Sequence, residues 1–146
     1  MLVRDTRGFT LIELMVVVVI LGILAGLIIP KIMGRPEEAK RLKAKMQIEQ
    51  LEQTLKLYCL DSGEYPTTEQ GLIALVEKPA TEPVPRRWRE GGYLEKGKIP
   101  LDPWGNPFVY VSPGVHSKDF DLVSYGSDGE EGGEGKYADI ESWNLE

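Results

Sequence analysis

From Leu14 to Ile29 the chain reads LMVVVVILGILAGLII, sixteen residues without a polar side chain. Counting back to Phe9 gives 21 residues. As an α-helix that length would extend roughly 31 Å, close to the ~30 Å hydrocarbon thickness of a bilayer. A core helix in a 146-residue chain would show one apolar face, and this segment is apolar all round. Its Val and Ile run is poor helix material in water. In lipid the backbone must satisfy its own hydrogen bonds, so helix is expected. A cleavable secretory signal would place a small-residue cut site after the apolar run, and IPKIMGRPEEAK offers none. The segment reads as a membrane span.

Glu13 lies four residues into that segment, just ahead of the unbroken apolar run. A charged carboxylate costs about 2.5–3.5 kcal/mol at the centre of a membrane helix and less near its end. It either snorkels to the headgroups or meets a positive charge at the same depth. The residues around it read R-G-F-T-L-I-E, Arg7 to Glu13, and the apolar stretch ends in Pro30. This pattern resembles the class III signal of type IV pilins and type II secretion pseudopilins. The resemblance implies a leader, residues 1–8, cut by a prepilin peptidase between Gly8 and Phe9, with N-methylation of the new terminus at Phe9. It also implies that Glu13 is linked to the terminal amine of a neighbouring subunit. An amine and a carboxylate, each costly in lipid, would then offset one another.

The flanking charge points the other way. Arg4 and Arg7 precede the span, whereas Lys31, Arg35, Lys40, Arg41, Lys43 and Lys45 follow it. Positive-inside counting alone would keep the larger part of the chain in the cytoplasm. The resemblance implies the reverse, a single pass through the inner membrane with the C-terminal domain in the periplasm. The leader must reach a peptidase on the cytoplasmic face, and a long following domain crosses regardless of flanking charge.

Residues 9–30 are thus expected as the membrane and assembly helix, and 31–61 as its amphipathic continuation. Ala44, Ile48, Leu51, Leu55 and Tyr58 recur at alternating steps of four and three, an apolar stripe that needs a partner surface. Cys59 continues this stripe and is expected to be buried and inert. Asp61-Ser62-Gly63 is a stop signal. Pro30 is expected to kink or loosen the helix, and Gly34-Arg35-Pro36 to loosen it again. Gly22 and Gly26 form a G-x-x-x-G pair that permits close helix approach.

Residues 62–146 read as a globular α+β part. YPTTEQGLIALVEKP suggests an extended entry and a short helix from Thr67 or Thr68, then a connector with Pro79, Pro83 and Pro85. PFVYVS, FDLVSYG and ADIESW read as strands separated by turns. The expected fold is α+β: a long N-terminal helix packed on a small antiparallel sheet of about three strands. YPTTEQGLIAL, DPWGNPFVYVSPGVH, DLVSYGSDG, EGGEG and the A-D-I-x-S-W run resemble, in order, the major pseudopilin (G subunit) family of type II secretion. Ordinary type IV pilins share the first half and usually end in a disulfide-bonded loop. With Cys59 as its one cysteine, this chain cannot form such a loop internally.

Charge singles out one loop. Residues 1–100 hold 15 basic and 13 acidic side chains, whereas residues 101–146 hold two basic and ten acidic ones. The net charge of -6 therefore comes from the last third, and an acidic total argues against a nucleic-acid partner. Asp128, Glu130, Glu131, Glu134 and Asp139 crowd a stretch with four glycines. A hard cation taking six to eight oxygens would turn their repulsion into a fold constraint. With no His in the stretch and Cys59 far away in sequence, zinc is not expected. An EF-hand alignment puts Asp128, Glu130, Gly133 and Asp139 at loop positions 1, 3, 6 and 12, but Gly132 falls at position 5 and strands flank the loop. The family resemblance implies one structural Ca²⁺ in the loop 125–139, held by Asp128 and Asp139. Backbone carbonyls of Tyr125, Glu130 and Tyr137 would complete its shell.

Other residues carry less. His116 reads as polar turn surface, and Trp88, Trp104 and Trp143 as packing residues. Arg86, Arg87 and Arg89 read as a solvated face or a subunit contact. The resemblance implies a structural, non-enzymatic role. The chain would be a homopolymeric subunit of a periplasmic pseudopilus, partnered by the prepilin peptidase, the minor pseudopilins and the inner-membrane assembly platform, and driving export of folded proteins. A type IV pilin-like filament subunit, or a membrane-anchored calcium-dependent binding module, are the alternatives. A hydrolase using Asp128 and Asp139 would lack a nucleophile or base outside the loop, and a glycine-rich loop is a soft platform for catalysis.

Overall fold

The computed structural model describes residues 8–32 and 35–145, with side chains at 27–35 left aside. The expected leader ahead of Gly8 and the loosening at Gly34 lie outside the described residues. The chain divides into two compact units, one ending at Glu38 and one from Ala39 to Glu146.

The first unit carries helix α1, Leu11–Ile32. Its start is set by a reciprocal cap that the T-x-x-E spacing encodes. The Thr10 N–H and hydroxyl both donate to Glu13 Oε2 at 2.9 Å, and the Glu13 N–H donates back to Thr10 Oγ1 at 3.3 Å. Pro30 does not end the helix, which runs on to Ile32. Among the described residues no helix is long and apolar enough to cross a membrane. The part of α1 whose side chains are described, from Leu11 to Gly26, would extend roughly 24 Å at 1.5 Å per residue.

The second unit is built on α2, Arg35–Ser62, most of which it contains. The stripe expected from the sequence is the buried face: Ala44, Ile48, Leu51, Leu55 and Tyr58 are all at most 2% exposed. These five pack into one cluster with Leu72, Ala74, Leu75, Tyr93, Phe108, Tyr110, Phe120, Leu122 and Ile140. Trp88 and Trp104 pack against the same cluster, as expected. Cys59 is only partly buried. Burial nevertheless pushes its thiol up, with Asp119 and Glu64 adding to the effect, which keeps it in the unreactive thiol form.

The expected helix near Thr67 is instead a single 3₁₀ turn, Leu72–Leu75. Thr67 and Gln70 do exchange bonds across a T-x-x-Q spacing, each N–H reaching the other's side-chain oxygen at 3.2 Å. At Gly71 the backbone turns to φ +58°, a conformation that only glycine takes cheaply, and helix cannot propagate through it.

Three short antiparallel strands follow: β1 Val109–Val111, β2 Asp121–Ser124 and β3 Ile140–Glu141, in the spatial order β1-β2-β3. Tyr110 pairs with Leu122 and Ser124 with Ile140, so the buried members stand opposite one another. The long β2–β3 connection is the acidic loop, and the sheet holds its two ends side by side.

Candidate functional site

Glu13 sits in the first turn of α1, and Phe9 lies just ahead of the helix. Phe9 is 81% exposed, and from Leu11 to Leu24 every large apolar residue is exposed as well. A water-exposed apolar surface of this extent is characteristic of a contact with lipid or with other subunits. The Glu13 carboxylate, expected to snorkel or to meet a positive charge, is engaged here by Thr10. Its second role as a helix cap was legible in the T-x-x-E pattern.

The acidic loop leaves β2 at Tyr125 and returns through a short 3₁₀ turn, Gly135–Tyr137, to β3. Asp139, next to β3, has one oxygen satisfied: the Gly132 N–H donates to Oδ2 at 2.9 Å. Its other oxygen, Oδ1, is buried without a hydrogen-bond partner. Burial pushes the Asp139 carboxyl above its usual range. The Gly132 N–H opposes that shift, the charges of Asp128 and Glu131 reinforce it, and Arg41 opposes it more weakly. Tyr125 is shifted up likewise, first by burial and then by Glu131 and Asp139. The fold thus gathers Asp128, Glu131, Asp139 and Tyr125 near one another.

The other expected members are placed less decisively. Glu130 is exposed, and its N–H donates to Asp128 Oδ1 at 3.3 Å. The Tyr137 side chain is 44% exposed with the Lys136 ammonium 4.7 Å above its ring. The Tyr137 carbonyl lies against Gly133, where a Cβ would come within 2.5 Å of the oxygen. Gly133 also has φ +88°, so both the space and the backbone require glycine there. Among the described residues no group of three or more His, Cys, Asp or Glu side chains is arranged to hold a metal ion.

A cation-binding oxygen set does fit the chemistry of this loop. A buried, unpartnered carboxylate oxygen with the charges of two further carboxylates acting on it costs free energy, and a bound cation would offset that cost. With few side-chain ligands in reach, backbone carbonyls would have to supply the rest of the shell, as hard cations accept.

Glu131, read from the sequence as one of the crowded carboxylates without an assigned part in the shell, has a charge that bears on both Asp139 and Tyr125. Two further residues of this region were missed by sequence reading. Arg41, counted among flanking positive charges, donates from Nη1 to the Ala138 carbonyl at 2.6 Å. Asn106, a turn residue, donates from Nδ2 to the Gly126 carbonyl at 3.1 Å. The last two bonds span 97 and 20 residues of sequence, and no local pattern announces such contacts.

His116 is also more than polar surface. Its ring stacks on Trp143 with centroids 4.0 Å apart and an 11° interplanar angle, and its Nδ1 lies 3.2 Å from Asp121 Oδ2. Trp143 is thereby a partner of the β1–β2 turn. The arginines near Trp88, namely Arg86, Arg87 and Arg89, are all exposed, and Arg89 lies over the Tyr93 ring at 5.5 Å.

A long helix packed on a small antiparallel sheet, preceded in the sequence by an apolar helix and the Gly8-Phe9 junction, defines a pilin-like subunit. The family described as "Type II secretion system (T2SS), protein G" matches residues 31–143. The "Prokaryotic N-terminal methylation motif" matches residues 3–29. The type II secretion system core protein G of Pseudomonas aeruginosa is 52% identical over 141 residues, covering 97% of each chain. That of Vibrio cholerae is 52% identical over 143 residues, covering 98% of this chain and 95% of its own. A crystal structure of the major pseudopilin from the type 2 secretion system of enterohaemorrhagic Escherichia coli superposes with a TM-score of 0.68 at 44% identity. It covers 80% of this chain and 96% of that one. The chain belongs to the type II secretion system protein G family, the major pseudopilins. These are structural subunits and not enzymes. Membership together with the methylation motif implies peptidase processing and partners within the secretion machinery.

Proposed function

We propose that the chain is held in the inner membrane by residues 9–30, with its C-terminal domain in the periplasm. At the cytoplasmic face it is cut between Gly8 and Phe9 and methylated at Phe9. It then polymerises through α1 into a homopolymeric pseudopilus that drives folded proteins through the outer membrane. Minor pseudopilins and the inner-membrane assembly platform are its partners. The observation that carries this reading is α1 itself, whose large apolar residues from Leu11 to Leu24 are all exposed. Lipid covers such a surface before assembly and neighbouring helices cover it afterwards. Glu13 lies one helical turn from Phe9 and so can meet the amine that cleavage creates on an adjacent subunit, exchanging its local cap for a charged partner. Glu13→Ala tests this. Filament formation and secretion should both fall by an order of magnitude or more, and survival of both would sink the assembly reading.

The same reading includes one structural Ca²⁺ in the loop 125–139, with Asp128 and Asp139 as its carboxylate ligands and carbonyls of Tyr125, Glu130 and Tyr137 as further donors. Its support is the unpartnered buried oxygen of Asp139 and the carboxylates crowded around it. A cation bound to the native state alone stabilises by RT ln(1 + [L]/Kd), about 2.7 kcal/mol at a hundredfold excess over Kd. The full chain in detergent should melt several degrees higher in millimolar calcium than in EDTA. An unchanged melting temperature would exclude the ion.

A further inference from the structure

We propose that Asn106 and Arg41 are positioning residues for the acidic loop, clamping its two ends from outside and so setting how tightly it holds a cation. This rests on the calcium reading above, since the loop must bind an ion for its affinity to be set.

The entry clamp is a closed network. Asn106 Nδ2 donates to the Gly126 carbonyl at 3.1 Å, while the Gly126 N–H donates to Ser124 Oγ at 3.3 Å. The same peptide segment is therefore gripped at its N–H and at its carbonyl. Both grips are fixed by one buried carboxylate. Asp102 Oδ1 accepts the Asn106 N–H at 2.8 Å, and Asp102 Oδ2 accepts the Ser124 hydroxyl at 2.7 Å. A backbone bond from the Asp102 N–H to the Asn106 carbonyl, 2.8 Å, closes the turn. The amide of Asn106 also lies under Gly129, inside the loop, where a Cβ would come within 3.3 Å of Nδ2.

The exit clamp is Arg41, whose Nη1 holds the Ala138 carbonyl, one residue before the carboxylate that bears the unpartnered oxygen. Between the clamps, residues 128–137 are exposed throughout and rich in glycine. A stretch of that composition loses much conformational freedom when it orders around an ion. Fixing both ends beforehand removes part of that cost, which is how preorganisation raises affinity. Groups behind the ligands of a metal site typically change its affinity by about 10–100-fold.

The charge of Arg41 provides a sign test. A guanidinium beside Asp139 repels an incoming cation, so removing it on electrostatic grounds alone would tighten calcium binding. The clamp requires the opposite. Calcium affinity is measured by isothermal titration calorimetry on the full chain in detergent, for the wild type, Asn106→Ala and Arg41→Met, with circular dichroism confirming that each calcium-free chain is folded. Met keeps the length of the Arg stem without its donors. The expected result is a Kd about tenfold weaker in each variant. Should Asn106→Ala fail to fold, Arg41→Met decides by itself. Wild-type binding with an unchanged or tighter Kd in Arg41→Met overturns the clamp and leaves the calcium reading standing. No binding by the wild type overturns both.

Discussion

Asp121 shows how much one carboxylate can organise when backbone donors converge on it. It is 4% exposed and accepts N–H bonds from Val115 at 2.7 Å and from His116 and Ser117 at 2.8 Å each. Burial pushes its carboxyl up, but the N–H groups of His116, Ser117 and Val115, with the His116 ring, outweigh burial and hold it below the usual range. A carboxyl whose folded pKa is depressed contributes stability in full above its unfolded value, near 3.9. That contribution is lost as the pH falls through the folded value. Acid titration followed by circular dichroism should therefore show unfolding of the full chain at low pH. Asp121→Asn should be less stable at neutral pH by about 1–3 kcal/mol, with a smaller further loss on acidification below pH 4. Equal pH dependence in the two chains would remove Asp121 from this role. The turn itself was legible, since P-G-V-H-S-K-D can hardly form anything else. Its anchor on Trp143 was not, because nothing local pairs a turn histidine with a tryptophan 27 residues further on.

Among the elements, α2 was the most legible, because a stripe at steps of four and three names one face of a helix wherever it occurs. The strands were legible in place but not in length. PFVYVS narrows to Val109–Val111 and ADIESW to Ile140–Glu141, since pairing requires a partner along the whole run and the neighbouring segments turn away. The second face of α2 was less readable. Leu42, Met46, Leu57 and Leu60 are exposed there, although they are as apolar as the buried set. These two faces should respond oppositely to truncation. Leu51→Ala, at 1% exposed, should cost about 2–5 kcal/mol through lost burial and the cavity left behind. Leu60→Ala, at 80% exposed, should stay within about 0.5 kcal/mol. Urea melts of the two variants beside the wild type decide the point, and comparable losses would contradict the assigned face.

Taken whole, the molecule distributes its charge differently from what counting suggested. Ten acidic residues in the last 46 positions pointed to a cation site, yet Asp102 and Asp121 are buried and saturated by turn donors and Ser124. Part of the acidic surplus is architecture, and the loop after Tyr125 holds Asp139, whose Oδ1 is buried without a hydrogen-bond partner. The division into units adds a second whole-molecule consequence. Every residue of the buried apolar cluster falls between Ala44 and Ile140, inside the unit Ala39–Glu146, while the first unit up to Leu24 contributes exposed apolar surface. A core owned entirely by one unit needs nothing from the other to form. A fragment of residues 39–146 should therefore fold without detergent, melt cooperatively, and run as a monomer on size exclusion, since the exposed apolar surface of α1 is gone. Its calcium-dependent rise in melting temperature should equal that of the full chain, because both loop clamps, Arg41 and Asn106, lie within it. A fragment that is disordered by circular dichroism, or that self-associates, would contradict a core that the second unit completes by itself.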